Sequence, residues 1–255
     1  MLQAHSLLWH YLWVGPNVIL TALGILMWRR GVQSQFPVFV AFALLTSSEQ
    51  FILYAADVAP WITEKNFWLM LCGGLLIEGF LKMLLIGELF GHLLGDYSSV
   101  AELGKQLIRG LGAVLVIGAL AGAVFSTSDN DHWFIPAAHL MEQTIYVVEC
   151  GLLLFLFVFA AYFRLAWGHL AFGIALGMSI SGCVHLADWA ITSSGAMLHK
   201  RYLLDFLNMV AYHVCVFTWG YYVLVPQKSA VAASPQLPNH NLERWNRELE
   251  SLLRK

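Results

Sequence analysis

The stretch from 135 to 163, IPAAHLMEQTIYVVECGLLLFLFVFAAYF, contains only two formally charged side chains, Glu142 and Glu149. A helix crosses a bilayer with about 20 predominantly apolar residues, so this stretch is long enough to span a membrane. Similar apolar runs lie on both sides of it. Together they predict seven spans, near 6-27, 37-57, 67-94, 107-126, 135-163, 168-192 and 202-225. We therefore expect an all-α integral membrane protein, a seven-transmembrane helix bundle.

The composition of the whole chain agrees with this prediction. Of its 255 residues, 59% are hydrophobic and only 12% are charged, against about 25% charged in an ordinary soluble domain. These values exclude a soluble globular protein. The net charge of -2 and the lack of a glycine-rich phosphate loop also argue against a nucleic-acid or nucleotide partner. The expected surroundings of the chain are the lipid bilayer.

Basic residues are distributed unevenly between the two ends of the predicted spans. Lys65, Lys200 and Arg201 fall on one side. The other side carries Arg29, Arg30, Lys105, Arg109, Arg164, Lys228, Arg244, Arg247, Arg254 and Lys255. Because loops rich in Lys and Arg stay in the cytoplasm, the N-terminus is predicted outside and the C-terminus cytoplasmic. In a bacterium the membrane would be the plasma (inner) membrane.

The end of the chain differs from the spans. The transmembrane domain is predicted over 1-225, followed by a Ser-, Ala-, Gln- and Pro-containing linker over 226-240 and a cytoplasmic amphipathic helix over 241-255. The apolar face of this short helix is formed by Leu242, Trp245, Leu249 and Leu252. Two interpretations stay open. The helix lies on the inner membrane surface, or it docks a cytoplasmic or membrane protein partner.

The predicted fourth span, 107-126, carries small residues at a spacing that favours close helix packing. Gly118 and Gly122 are four residues apart, which allows two helix backbones to approach closely. The contact would lie within the bundle or between two protomers. A homo-oligomer therefore stays an open alternative.

Ionisable side chains inside the predicted spans are the candidates for function, because each costs roughly 2.5-3.5 kcal/mol to place in hydrocarbon. Glu78 and Lys82 are four residues apart on one helix and are predicted to form an internal ion pair. Most of the others lie within about three helical turns of the predicted outer boundary. The predicted ligand pocket consists of His10, Glu49, His139, Glu142, His185, Asp188 and Asp205.

Three interpretations of this polar set stay open. It forms a hydrated, outward-facing pocket for a small ligand or a proton-linked signal, it holds a metal or a haem, or it joins helices by hydrogen bonds. The metal would be copper, iron or zinc. Its candidate ligands are His139, Glu142, His185, Asp188, His199 and His213.

Part of this layout resembles a known family of metalloproteins. PAAHLME at 136-142 follows Asp and His residues at 129-132, and His199 and His213 lie around the start of the last span. This arrangement resembles the C subunit of copper membrane monooxygenases, and the resemblance implies copper binding and redox chemistry. The chain departs from that family in three ways, the first of which is that its aspartate-to-histidine spacings differ. Gly195 stands where the family places an asparagine ligand, and the first span has no counterpart there.

The preferred hypothesis is a receptor-like or sensory membrane protein. Its outward-facing His/carboxylate pocket would bind a ligand, and its tail helix would report to a partner. The first alternative is a metal- or haem-binding membrane redox protein. The second is an accessory subunit of a membrane complex without a site of its own. Whether the protein is an enzyme stays open.

Overall fold

The structure is a computed structural model that describes residues 6-94, 106, 110, 134-163, 165-193 and 201-225. Over these ranges the chain is all-helical. A short 3-10 helix, Val32–Ser34, lies between the first two long helices. The long helices are α1 (Leu7–Arg29), α2 (Pro37–Val58), α3 (Glu64–Leu93), α4 (Phe134–Tyr162), α5 (His169–Ser193) and α6 (Arg201–Leu224).

Each of these six helices is long and apolar enough to cross a membrane. They coincide with six of the seven predicted spans, and the chain is a multi-pass membrane protein. The largest difference in position is at α3, which begins at Glu64 rather than at 67 because the Thr63 hydroxyl accepts a hydrogen bond from the Asn66 amide and caps the helix. The fourth predicted span (107-126) and both tail segments (226-240 and 241-255) lie outside the described residues.

The outer surface of the bundle is apolar, as contact with lipid requires. Large side chains such as Phe80, Leu154 and Phe217 are more than half exposed in the isolated chain. A soluble monomer rarely exposes contiguous apolar surface of this kind. The surface therefore agrees with a lipid-embedded bundle.

The six helices close into a ring. Each helix packs against the next along the chain, and α6 packs back against α1. We use "upper end" for the end of the bundle where α1 begins and "lower end" for the opposite end.

Contacts at both ends of α3 and α4 establish that these two helices run parallel. Near their starts the ring of Trp68 lies 5.8 Å from that of His139, and near their ends Phe90 stacks on Phe155 at 6.0 Å. Both helices therefore begin at the upper end. The end of α3 at Leu93 and the start of α4 at Phe134 therefore lie at opposite ends of the bundle.

Helices α1 and α6 are also parallel. Trp9 contacts Phe206 near the upper end, with ring centroids 5.7 Å apart, and the Arg30 guanidinium donates to the Val223 carbonyl at the lower end. The start of α1 and the end of α6 consequently lie at opposite ends of the bundle.

The lower half is filled by a closely packed apolar core. Its largest member, Trp219 of α6, is 2% exposed and donates its indole N–H to the Ile174 carbonyl at 3.2 Å. Phe39 and Phe42 of α2 contact the same indole edge-to-face. This core forms the floor of the space above it.

Candidate functional site

A cavity of about 340 Å³ lies between the helices above Trp219. All six helices contribute to its walls, and its volume falls in the range of small-molecule sites. Its polar lining is formed by Asn17, Thr46, Gln50, Glu78, Lys82, Glu142, Tyr146, Glu149, Ser181, His185, Asp205, Asn208 and Tyr212. The aromatic lining adds Trp9, Trp13, Phe42 and Trp219.

The central charged group is Lys82, whose side chain is 5% exposed. Its Nζ lies 2.9 Å from Glu78 Oε1 on the same helix and 3.0 Å from Glu149 Oε2 on α4. Removing a charge from water is costly unless it is paired, and here one ammonium faces two carboxylates. The three groups together carry one excess negative charge when all are ionised, and they tie α3 to α4.

Tyr146 connects this charged group to a histidine. One face of its ring contacts Lys82, whose Nζ lies 4.0 Å from the ring centroid in a cation–π contact. The other neighbour of the ring is His185 of α5, stacked on it at 4.1 Å and nearly parallel. One aromatic ring therefore separates the ammonium from the imidazole.

Glu142 lies at the upper rim of the cavity, one turn above Tyr146, and its side chain is 37% exposed. One carboxylate oxygen lies 3.8 Å from His185 Nδ1, and the other lies 4.0 Å from His139 Nδ1. Both separations exceed hydrogen-bond length. The carboxylate thus lies between two imidazoles, close to both but beyond hydrogen-bond length from each Nδ1.

Hydrogen bonds between side chains join the other wall of the cavity, formed by α1, α2 and α6. The indole of Trp13 donates to the Gln50 side chain at 3.1 Å, and the Tyr212 hydroxyl donates to Asn17 Oδ1 at 3.3 Å. The Asn17 amide in turn donates to the Trp13 carbonyl at 2.7 Å. These bonds hold the polar groups of α1 in place against α2 and α6.

Several buried polar atoms of the lining have no hydrogen-bond partner among the described residues. They are Glu149 Oε1, Thr46 Oγ1, Trp9 Nε1 and Asn208 Oδ1. Buried polar atoms almost always find a partner in the protein, in water or in a ligand. The cavity is therefore equipped to hold a polar occupant.

Of the predicted pocket residues, three line the cavity: Glu142, His185 and Asp205. A fourth, Asp188, lies just behind the wall, where it accepts hydrogen bonds from Asn208 and from Thr192. The depth of these residues along their helices was the feature that identified them.

The other three predicted pocket residues lie at helix contacts. His10 shares a 3.0 Å hydrogen bond between its Nδ1 and the Tyr54 hydroxyl. The Glu49 carboxylate packs against Gly74 of α3, where no β-carbon would fit. The His139 ring lies against Trp68 and is half exposed. None of the three is part of the cavity lining.

From α1 the sequence predicted His10 for the pocket and missed the residues that line the cavity. Trp9, Trp13 and Asn17 follow one another at intervals of four residues, which places them on one helix face. That spacing, with an amide in an otherwise apolar segment, was the signal that could have found them. Sequence reasoning also did not identify Glu149 as the second partner of Lys82.

The predicted metal set does not form a cluster in the part of the chain that the structure describes. No group of three or more His, Cys, Asp or Glu side chains is placed there to hold a metal ion. His213 lies at the α1–α6 contact, where its Nδ1 is 2.9 Å from the Met209 carbonyl and its ring stacks on Tyr11. His199 lies outside the described residues.

Comparison with known proteins adds no family to this description. No protein-family model matches the sequence, and no curated protein or solved structure matches it either.

Proposed function

We propose that this chain is a receptor-like membrane protein that binds a small polar ligand in the cavity between its helices. The observation that carries the proposal is the cavity itself, about 340 Å³ with unpartnered buried polar atoms in its walls. Ligand sites are typically concave, largely apolar and equipped with a few polar groups that orient the ligand. This cavity has those properties.

A purely structural role would leave this arrangement unexplained. Leaving a buried donor or acceptor without a partner costs about 1-3 kcal/mol. Polar residues that only join helices pair with one another, as Tyr212 and Asn17 do here. Thr46 and Glu149 line the cavity, yet Thr46 Oγ1 and one oxygen of Glu149 have no partner from the described residues. A ligand that supplies partners would offset that cost.

The topology that we propose has seven crossings. The parallel course of α3 and α4 supports a return crossing by the predicted span 107-126. With the basic residues of α1, Arg29 and Arg30, at the lower end, the positive-inside rule places the lower end in the cytoplasm. The cavity would then be reached from outside, and the predicted helix 241-255 would follow the last span on the cytoplasmic side.

Ligand binding would be sensed through one charged and one aromatic contact between helices. Lys82 ties α3 to α4, and the stacking of Tyr146 on His185 ties α4 to α5. All four side chains at these contacts line the cavity. A ligand that competes for any of them changes the relative stability of two helix arrangements, which is the energetic basis of a switch.

The proposal is tested by a thermal-shift screen of protein purified in lipid nanodiscs. The compounds would be small amines, carboxylates, sugars and nucleosides at millimolar concentration. A ligand present at 100 times its Kd stabilises the folded protein by about 2.7 kcal/mol, which gives a measurable rise in Tm. We expect such a rise, and we expect Met209→Trp, which fills the cavity, to abolish it.

The matched control is Leu207→Trp. Leu207 lies on the same helix but is 53% exposed towards the outside of the bundle, so the added ring would not enter the cavity. This variant should keep the ligand-induced rise in Tm. A rise that survives Met209→Trp would assign the binding to another site. No rise with any compound would favour an accessory subunit instead.

A further inference from the structure

The ionisable groups of the cavity have a strong imbalance of charge. Four carboxylates line it, from Glu78, Glu142, Glu149 and Asp205, and Lys82 is the one lysine or arginine among the lining residues. Lys82 is already engaged with two of these carboxylates. The described lining residues therefore carry a net negative charge whenever these carboxylates are ionised.

A negatively charged interior needs compensation. In a low-dielectric environment an isolated carboxylate is very costly, and it becomes stable only with a proton or a nearby cation. Glu142 has imidazoles at 3.8 and 4.0 Å, beyond hydrogen-bond length. A bound cation near the rim would satisfy this carboxylate and lower the repulsion between it and the charged groups below.

The aromatic side chains decide what kind of cation fits. The indoles of Trp9 and Trp13 and the ring of Tyr212 line the cavity. Aromatic faces attract organic ammonium groups and the apolar bodies that carry them. A bare metal ion needs several oxygen, nitrogen or sulfur ligands converging on one point, and the described residues do not provide such a group.

Two buried acceptors without a partner from the described part of the chain belong to residues that line the cavity. Glu149 is 0% exposed and Thr46 is 4% exposed, yet Glu149 Oε1 and Thr46 Oγ1 have no hydrogen-bond partner among the described residues. Both oxygens can accept a hydrogen bond from an N–H group. The unpartnered indole nitrogen of Trp9 is a neutral donor and does not alter the balance of charge.

We infer that the ligand of this cavity is a small organic cation, an ammonium ion with an apolar or aromatic body. Its charge would lie between the carboxylates of Glu142 and Asp205, and its body would contact the indoles of α1. This inference rests on the proposed function, because it assigns a chemical class to the ligand of the same site. A cavity of about 340 Å³ restricts the class to small molecules.

The test measures whether the cavity prefers cations. A reporter thiol is introduced by Ser181→Cys, since Ser181 lines the cavity and differs from cysteine by one atom. The background carries alanine in place of the four native cysteines, Cys72, Cys150, Cys183 and Cys215. The reporter is then modified in nanodiscs by two methanethiosulfonates of similar size, one with a trimethylammonium group and one with a sulfonate group.

We expect the cationic reagent to react at least about tenfold faster than the anionic one, after each rate is divided by its rate with a small free thiol. Clefts lined by one sign of charge raise the local concentration of the opposite charge by about 10-fold or more. Glu142→Gln together with Asp205→Asn should reduce this preference severalfold. Glu64→Gln, an exposed carboxylate of α3 outside the cavity, should leave it unchanged.

The outcomes separate the two proposals. If both reagents modify the reporter with no preference for the cation, the cavity is reached from water but the inference of a cationic ligand is wrong. If neither reagent reacts until the protein is unfolded, the cavity is closed to water-borne ligands, and the proposed function fails with it. Should the double variant fail to fold, the ratio measured with the native carboxylates still decides the question.

Discussion

The lower and upper halves of the bundle are built from the same helices but have opposite interiors. Below, Trp219 and its neighbours form a dry core in which side chains such as Phe39 and Ile86 are fully buried. Above, the inward faces carry carboxylates, amides and hydroxyls around a cavity. Helix periodicity thus sets which residues face inward, whereas the residue type at each position sets whether the interior closes.

One stripe of residues on helix α6 passes through both halves of the bundle. Asp205, Asn208, Tyr212, Cys215 and Trp219 follow one another at intervals of three or four residues, and all five line the cavity or its floor. The stripe changes from charged at the upper end to a large apolar ring in the lower half. A rigid lower half therefore holds the helices together while the upper half keeps a space between them.

Among substitutions in the two halves, we expect the largest loss of stability where charge is buried deepest. Lys82→Met would leave Glu78 and Glu149 without their shared cation, and removing one partner of a buried ion pair costs about 3-5 kcal/mol. We expect the free energy of unfolding to fall by that amount, measured by tryptophan fluorescence during denaturation in mixed micelles.

The matched control removes the two carboxylate charges as well. The triple variant Lys82→Met, Glu78→Gln, Glu149→Gln leaves no uncompensated charge and should recover most of the lost stability. A Lys82→Met protein as stable as the wild type would show that the three groups are not coupled in the way that their 2.9 and 3.0 Å separations indicate.

A smaller loss is expected from overpacking the lower half. Gly177 of α5 lies directly against the Trp219 indole, and a β-carbon there would overlap the ring. Because the indole is fully enclosed and hydrogen-bonded, Gly177→Ala should destabilise the protein by about 1-3 kcal/mol. Thermal unfolding in nanodiscs would measure it.

Gly151→Ala is the control for this substitution. Gly151 also lies within a helix, but nothing lies within 4 Å of its added β-carbon. Alanine is the better helix former by roughly 1 kcal/mol, so this variant should be at least as stable as the wild type. Equal Tm values for the two alanine variants would contradict the close packing of Trp219.

The sequence was sufficient to predict the six described helices but only part of the cavity. Six spans follow from apolar length, which the bilayer thickness fixes directly. Depth along each helix placed Glu142, His185 and Asp205 near one another. Rotation about each helix axis was not predictable, because lipid is as apolar as the protein core and the usual polar outer face is missing. His10 and Glu49 have a suitable depth but lie at helix contacts.

Contacts between helices were beyond the sequence for a second reason. The spacing of Glu78 and Lys82 reveals a pair within one helix, since residues four apart share a face. The contact of Lys82 with Glu149 requires α3 and α4 to be neighbours, although residues 94-133 separate these two helices along the chain. Residue spacing carries no information about a neighbour reached through such a connection.

The smallest effect that we expect distinguishes a ligand-facing hydroxyl from a structural one. Thr46 Oγ1 has no hydrogen-bond partner among the described residues, whereas Thr21 Oγ1 donates to the Asn17 carbonyl at 2.8 Å. Valine has nearly the same shape as threonine. Thr21→Val should cost about 0.5-1.5 kcal/mol, the net worth of a hydrogen bond, while Thr46→Val should leave stability unchanged or raise it slightly. Equilibrium unfolding of both variants without ligand measures the difference. A loss of stability at Thr46 as large as that at Thr21 would mean that the Thr46 hydroxyl already has a hydrogen-bond partner. The upper half would then contain fewer unpartnered polar groups than its geometry indicates.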